Sequence, residues 1–170
     1  MKRLALVLLL LAGCGEEEAA LPGPVRLTAE AVGHYCMMTV LDHEGPKAQI
    51  HLEGIPEPIF FVQVRDALAY AKGPERSADL RAIYLSDMGA APSWAEPGPD
   101  NWVLAQGASF VVGGDVRGGM SAPEIVPFSS AEAAARFAAR HGGAVRAFAD
   151  IPDDAVLAPV EIDLAEGGRR

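Results

Sequence analysis

Long apolar runs, aromatic residues, basic residues and cysteine are all scarce in this chain. Phe, Trp and Tyr make up 6% of its 170 residues, and 14 Lys plus Arg face 23 Asp plus Glu for a formal charge of −9. So little positive charge excludes a nucleic-acid partner, because an acidic surface repels phosphate backbones. The longest apolar run, residues 4–11 (LALVLLLL), spans about 12 Å as a helix against roughly 30 Å of bilayer core, which excludes a membrane-spanning segment there. No later segment is apolar enough to cross a membrane. With only Cys14 and Cys36 present, one disulfide is the most the chain can form, so it is not a disulfide-stapled scaffold.

The N-terminus has the three zones of an export signal: Lys2 and Arg3, then the apolar run, then Leu11-Ala12-Gly13-Cys14. A positive start, a short apolar core and small residues before the cut define such a segment. Its end resembles the lipobox of bacterial lipoproteins, which implies a signal peptide over residues 1–13 and a lipid on Cys14, inserted in the bilayer. Losing Lys2 and Arg3 removes two positive charges and takes the formal charge from −9 to −11. No aspartate follows Cys14, so the expected location is extracytoplasmic and periplasm-facing, on the outer membrane of a double-membrane cell. Residues 14–24 read as a tether, with Glu16, Glu17 and Glu18 giving no electrostatic hold on anionic lipid. Lipidation of Cys14 leaves Cys36 as an odd thiol in an exported protein.

About 140 residues remain to fold, enough for one domain or two very small ones. A pattern of strand, strand, helix, strand occurs twice. In residues 25–88 the expected strands are 34–41 (HYCMMTVL), 48–52 (AQIHL) and 81–85 (RAIYL), with residues 60–71 (FFVQVRDALAYA) starting extended and becoming helical. In residues 101–158 they are 102–112 (WVLAQGASFVV, broken at Gly107), the short piece 124–127 and 144–148 (AVRAF). Residues 129–141 (SSAEAAARFAARH) form the clearest helix, with Ser129 or Ser130 as its cap, Glu132 in its first turn and Gly142-Gly143 as its stop. Residues 89–100 (GAAPSWAEPGPD) are a Pro/Gly linker, with Trp94 in it and Trp102 just after it expected to pack the two units together, and residues 159–170 a frayed tail. The expected fold class is α+β, as two small ββαβ units.

Gly33-His34-Tyr35-Cys36-Met37-Met38 is the densest group of soft donors in the chain. On a strand, His34, Cys36 and Met38 share one face and Met37 points away. Thiolate and thioether select Cu(I), and imidazole suits it; His43 can return to the same place through a turn. Two other readings stand beside this one. Met and Cys are ordinary core residues, and Cys36 beside His34 suits a nucleophile and its base in a thiol enzyme. Met120, in the turn Gly118-Gly119-Met120-Ser121, is either a transfer ligand or a gap-filling hydrophobe. His51 and His141 read as structural.

The run from Cys36 to Ala48 (CMMTVLDHEGPKA) resembles the signature of the NosL lipoproteins: Cys-Gly-Met, four variable residues, then His-Pro-Gly-Pro. Met37 stands where the signature has glycine and Glu44 where it has proline; Cys36, Met38, His43, Gly45 and Pro46 keep their places. The lipobox, the helix containing Asp66, Gly119-Met120 and residues 124–128 (EIVPF) before an alanine-rich helix extend the likeness along the mature chain. The resemblance implies a copper-binding lipoprotein, not an enzyme. It implies a metallochaperone with Cu(I) on Cys36, Met38 and His43, and with Met120, Met37 and His34 as secondary candidates. It further implies delivery through a NosDFY-type transporter complex for maturation of nitrous oxide reductase, in denitrification. The implied fold is two homologous ββαβ units like those of an organomercurial lyase.

Overall fold

A computed structural model describes residues 20–160; Cys14, the first part of the tether and the tail beyond residue 160 lie outside the described residues. The first unit contains β1 (Ala48–Leu52), β2 (Ile59–Phe61), α1 (Val64–Lys72) and β3 (Leu80–Ser86). The second contains β5 (Ser109–Val112), β6 (Val126–Phe128), α2 (Ala131–His141) and β7 (Ala144–Ala147). Two elements fall outside this repeat, β4 (Trp102–Leu104) and α3 (Asp153–Leu157). The sheets run β2-β1-β3-β4 and β6-β5-β7, with every pair antiparallel. In each unit the first strand lies in the middle, so the expected α+β architecture of two ββαβ units is present.

Two assignments change. Residues 34–41 are not a strand: they form a turn closed by the Val32–Thr39 bridge, then a 3-10 turn over Val40–Asp42. The first strand of the unit is therefore β1, and the Phe60-Phe61 entry is the second. The interruption at Gly107 is real but goes further, because β4 pairs with β3 and belongs to the first sheet, while β5 founds the second. The Pro/Gly linker is docked on both units. The Trp94 carbonyl accepts from Gly45 N at 2.8 Å, and its indole stacks on Phe137 of α2.

Strand β1 is buried along its whole length, as a central strand covered on both faces must be. Its Gln49 amide completes the covering: Val25 N donates to Gln49 Oε1 and Gln49 Nε2 donates to Val25 O, each at 2.8 Å. His51 Nε2 donates to the same Oε1 at 3.0 Å, and burial lowers its pKa, favouring the neutral ring. His51 is structural, as expected. Helix α2 is capped at Ser130, whose hydroxyl accepts from Ala133 N.

The units share one core. Ile50, Phe61, Leu68 and Leu85 of the first pack with Phe110, Ile125, Ile151 and Val156 from the second half of the chain. Each such buried side chain contributes about 1.5–3 kcal/mol. A polar contact crosses the same boundary. Helix α1 has no side-chain cap of its own; instead Glu124, fully buried, accepts from Val64 N at 3.2 Å, Arg65 N at 3.0 Å and Ile125 N at 2.8 Å. The second unit thus caps the helix of the first.

Burial pushes the Glu124 carboxyl up from 4.5 to about 8, against the opposing pull of its three N–H donors. Its proton is then held more tightly in the folded state. Its stabilising share is complete below about 4.5 and is lost as pH rises through about 8. Lys47 acts in a different window: burial lowers its ammonium from 10.5 to about 8, so its share is present above 10.5 and lost as pH falls through about 8. Urea unfolding is therefore expected to show stability falling from pH 5 to pH 8. Glu124→Gln should cost about 1–2 kcal/mol at pH 5 and flatten that fall; an unchanged slope would contradict the assignment.

Candidate metal centre

The donor loop is a tight hairpin end. Gly33 N donates to Met38 O at 2.9 Å, Met37 N to Gly33 O at 2.8 Å, and Val40 N to Ala31 O at 2.8 Å. His34 N ties the loop to β2 through Phe60 O at 2.7 Å. This geometry removes the strand argument that set His34, Cys36 and Met38 on one face. The loop folds Cys36 inward to a half-buried position, with Met38 partly exposed at 41%.

Cys36 leans on the small cluster of Leu27, Ala31, Val40 and Val62, and Met120 and Trp102 pack on the same cluster. Gly33 is required there for close approach: a Cβ at that position would lie 2.6 Å from Cys36 Sγ and 3.1 Å from Val62 Cγ1. The thiol is the sole free cysteine among the described residues.

His43 follows the 3-10 turn in extended conformation and is half-buried. Its Nδ1 lies 3.2 Å from Gly119 O. A carbonyl oxygen only accepts, so Nδ1 carries the proton and Nε2 keeps its lone pair. That is the tautomer a metal ligand needs, oriented by a partner behind it. Gly119 again serves contact: a Cβ there would meet His43 Cβ at 2.8 Å and Val62 O at 3.0 Å. Gly118 is pressed in the same way against Gln63. Both glycines are demanded by packing.

The other candidates are placed as follows. The His34 ring lies against Tyr35, Phe61 and Tyr70, with centroids 5.2–5.7 Å away, so it wedges the loop onto α1. Tyr35 adds a hydrogen bond to Glu75 at 3.2 Å. Met120 is half-buried beside Cys36's cluster, and its N–H donates to Gln63 Oε1 at 3.1 Å. Met37 is in the left-handed region at φ 56° and is 72% exposed. For a residue with a Cβ that conformation costs about 1–2 kcal/mol. His141 pairs with Asp115 at 3.0 Å and stacks on Phe137, far along the fold at the end of α2.

Sequence reasoning did not find the buried frame under the loop. Lys47 is 1% exposed and donates to Glu44 O at 2.9 Å and Val62 O at 3.4 Å. Gln63 bridges Met120 N and Asp66 Oδ1. A cavity of about 330 Å³ opens beside His43, walled by Leu41, Lys47 and the prolines of the linker. The signal available was a lysine at the entry to an apolar strand and a glutamate just before the run Ile125-Val126-Pro127; neither says what it faces until the chain is folded.

The described residues hold no cluster of three or more His, Cys, Asp or Glu positioned for a metal ion. What they offer is one thiol, several thioethers and one imidazole with a free Nε2, a donor set matched to a soft monovalent ion.

Fold and loop together define a class of small α+β proteins, built of two ββαβ units, that carry a Cys-x-Met turn followed by a pinned histidine. A sequence profile of the NosL family matches residues 24–156, and the chain belongs to that family. The copper-binding lipoprotein NosL of Achromobacter cycloclastes is 55% identical over 158 residues, covering 92% of this chain and 82% of that protein. The copper-binding lipoprotein NosL of Stutzerimonas stutzeri is 32% identical over 150 residues, covering 86% and 76%. The crystal structure of the copper chaperone NosL from Shewanella denitrificans superposes with a TM-score of 0.71 at 26% identity, over 78% of this chain and 96% of that one. The solution structure of apo-NosL from Achromobacter cycloclastes gives a TM-score of 0.51 at 57% identity, over 68% and 93%.

Gly33→Ala tests the packing of the thiol. The added methyl must displace Cys36, at an expected cost of about 1–3 kcal/mol, and should speed the reaction of Cys36 with a thiol reagent. Wild-type stability and reactivity in that variant would show that Gly33 does not seat the thiol.

Proposed function

We propose that this chain is a copper-binding lipoprotein that carries Cu(I) on Cys36, Met38 and His43 and acts as a chaperone, not an enzyme. The observation that carries the reading is His43. Its Nδ1 is committed to Gly119 O, so its free Nε2 serves as a donor while Cys36 and Met38 sit in the hairpin turn just before it. The family relatives named copper-binding lipoprotein or copper chaperone support the same cargo.

Copper here is the cargo. Thiolate binding holds it strongly, and loading displaces the Cys36 proton. Met120, on the same cluster as Cys36, is positioned to assist from the second unit. In the cell, the lipid on Cys14 keeps the carrier at an extracytoplasmic membrane face. From there it serves a NosDFY-type transporter complex and, through it, the copper centres of nitrous oxide reductase. The carrier is favoured over the thiol-enzyme alternative because, among the described residues, no hydrogen bond joins Cys36 to His34, whose exposed ring lies edge-on to Phe61 and Tyr70.

Competition for Cu(I) against a chromophoric chelator of known affinity is the direct test. Wild-type protein should bind one ion; Cys36→Ser should abolish tight binding, and Met38→Ala or His43→Ala should weaken it roughly tenfold or more, about 1.4 kcal/mol. Undiminished binding by Cys36→Ser would sink the reading.

A further inference from the structure

Met37 is unfavourably placed twice over, and the proposed ligand set uses neither feature. It is one of two non-glycine residues at positive φ among the described residues. Its 72% exposure is the highest of the exposed large apolar side chains. It joins none of the core clusters, so the fold gains nothing from its side chain. The left-handed backbone has one evident consequence: it turns the thioether outward from between Cys36 and Met38, at the rim of a surface groove lined by Val32, Pro58, Ile59 and Phe60. An unbranched thioether with free rotors, exposed beside a soft-metal site, is a donor that an incoming partner meets first.

We propose that Met37 is the exit donor of the loop, the ligand through which Cu(I) leaves Cys36, Met38 and His43 for an acceptor's thioether or thiolate. This rests on the copper reading above. A lone pair of Met37 Sδ forms a bond to Cu(I) as the bond to His43 Nε2 breaks. The imidazole leaves neutral because its own carbonyl partner holds it on another element. Acceptor sulfurs then bond to the ion as the bonds to Met38 and Met37 break, each thioether leaving neutral, and the Cys36 bond breaks last, its thiolate taking a proton from water. No electron moves, and the ion remains monovalent throughout.

Stopped-flow release of Cu(I) from the loaded protein to a synthetic Met-x-x-Met peptide tests this, alongside equilibrium chelator competition. Met37→Leu keeps the size, apolarity and backbone strain and removes only the sulfur. Met37→Gly removes both sulfur and strain. Both variants should release Cu(I) roughly tenfold more slowly while their Kd stays within about twofold of wild type, an effect on rate and not on affinity. Met37→Gly alone should raise the melting temperature of the apoprotein, by about 2–4 °C. Release from Met37→Leu at the wild-type rate would overturn the proposal. So would a tenfold loss of affinity in that variant, which would make Met37 a resident ligand. Wild-type protein that binds no Cu(I) would instead overturn the copper reading on which this one stands.

Discussion

Glu124 is a buried carboxyl group, 2% exposed, set at the start of a helix from the other half of the chain. Its oxygens take the N–H groups of Val64 and Arg65, donors that a helix leaves open at its first turn and that Gln63 does not cap. An unpaired buried carboxylate is expensive, so these bonds tie the position of residues 116–125 to α1. Gln63 extends the tie by accepting from Met120 N and donating to Asp66. Gly118 and Gly119 have no room for a Cβ in this arrangement. The result is a turn of the second unit fixed against the end of β2, with its Gly119 carbonyl presented to His43.

The donor loop inherits its geometry from that junction. Val62 stands between the two parts of the site: one of its methyls faces Gly33 and the Cys36 sulfur, and its carbonyl faces Gly119 and Lys47. The thiol is seated by packing and the imidazole by a hydrogen bond, and both depend on the same residue. The methionines are less constrained. Met38 and Met37 are exposed to different degrees, and Met120 arrives on the turn that Gln63 holds. A seated thiol and imidazole with two exposed thioethers beside them suit the proposed carrier, which must hold an ion and also release it.

Much of the architecture was legible in the sequence because it rests on local pattern. The α2 helix, its Ser130 cap, the alternation of β1 and the Phe60-Phe61 entry to α1 were all visible as periodicity and end signals. Residues 34–41 misled because an apolar run without polar punctuation reads as a strand. What bends it is a carbonyl contact to Gly33 and anchoring to Phe60, neither of which leaves a mark in the sequence. Trp102–Leu104 misled for a related reason, since nothing local says which sheet a short strand joins. The soft donors of the proposed site were picked out by residue type. The carbonyl that sets the His43 tautomer and the capping Glu124 were not, because each acts across the boundary between units, and the buried Lys47 was not, because its carbonyl partners at Glu44 and Val62 carry no sequence mark.

X-ray absorption at the copper edge of the Cu(I)-loaded wild-type protein tests the central claim most directly, since it reads the ion's neighbours without relying on a variant that folds. The account predicts a low-coordinate monovalent ion with sulfur from Cys36 and a methionine together with one imidazole nitrogen. A shell made only of sulfur, or only of nitrogen and oxygen, would contradict it.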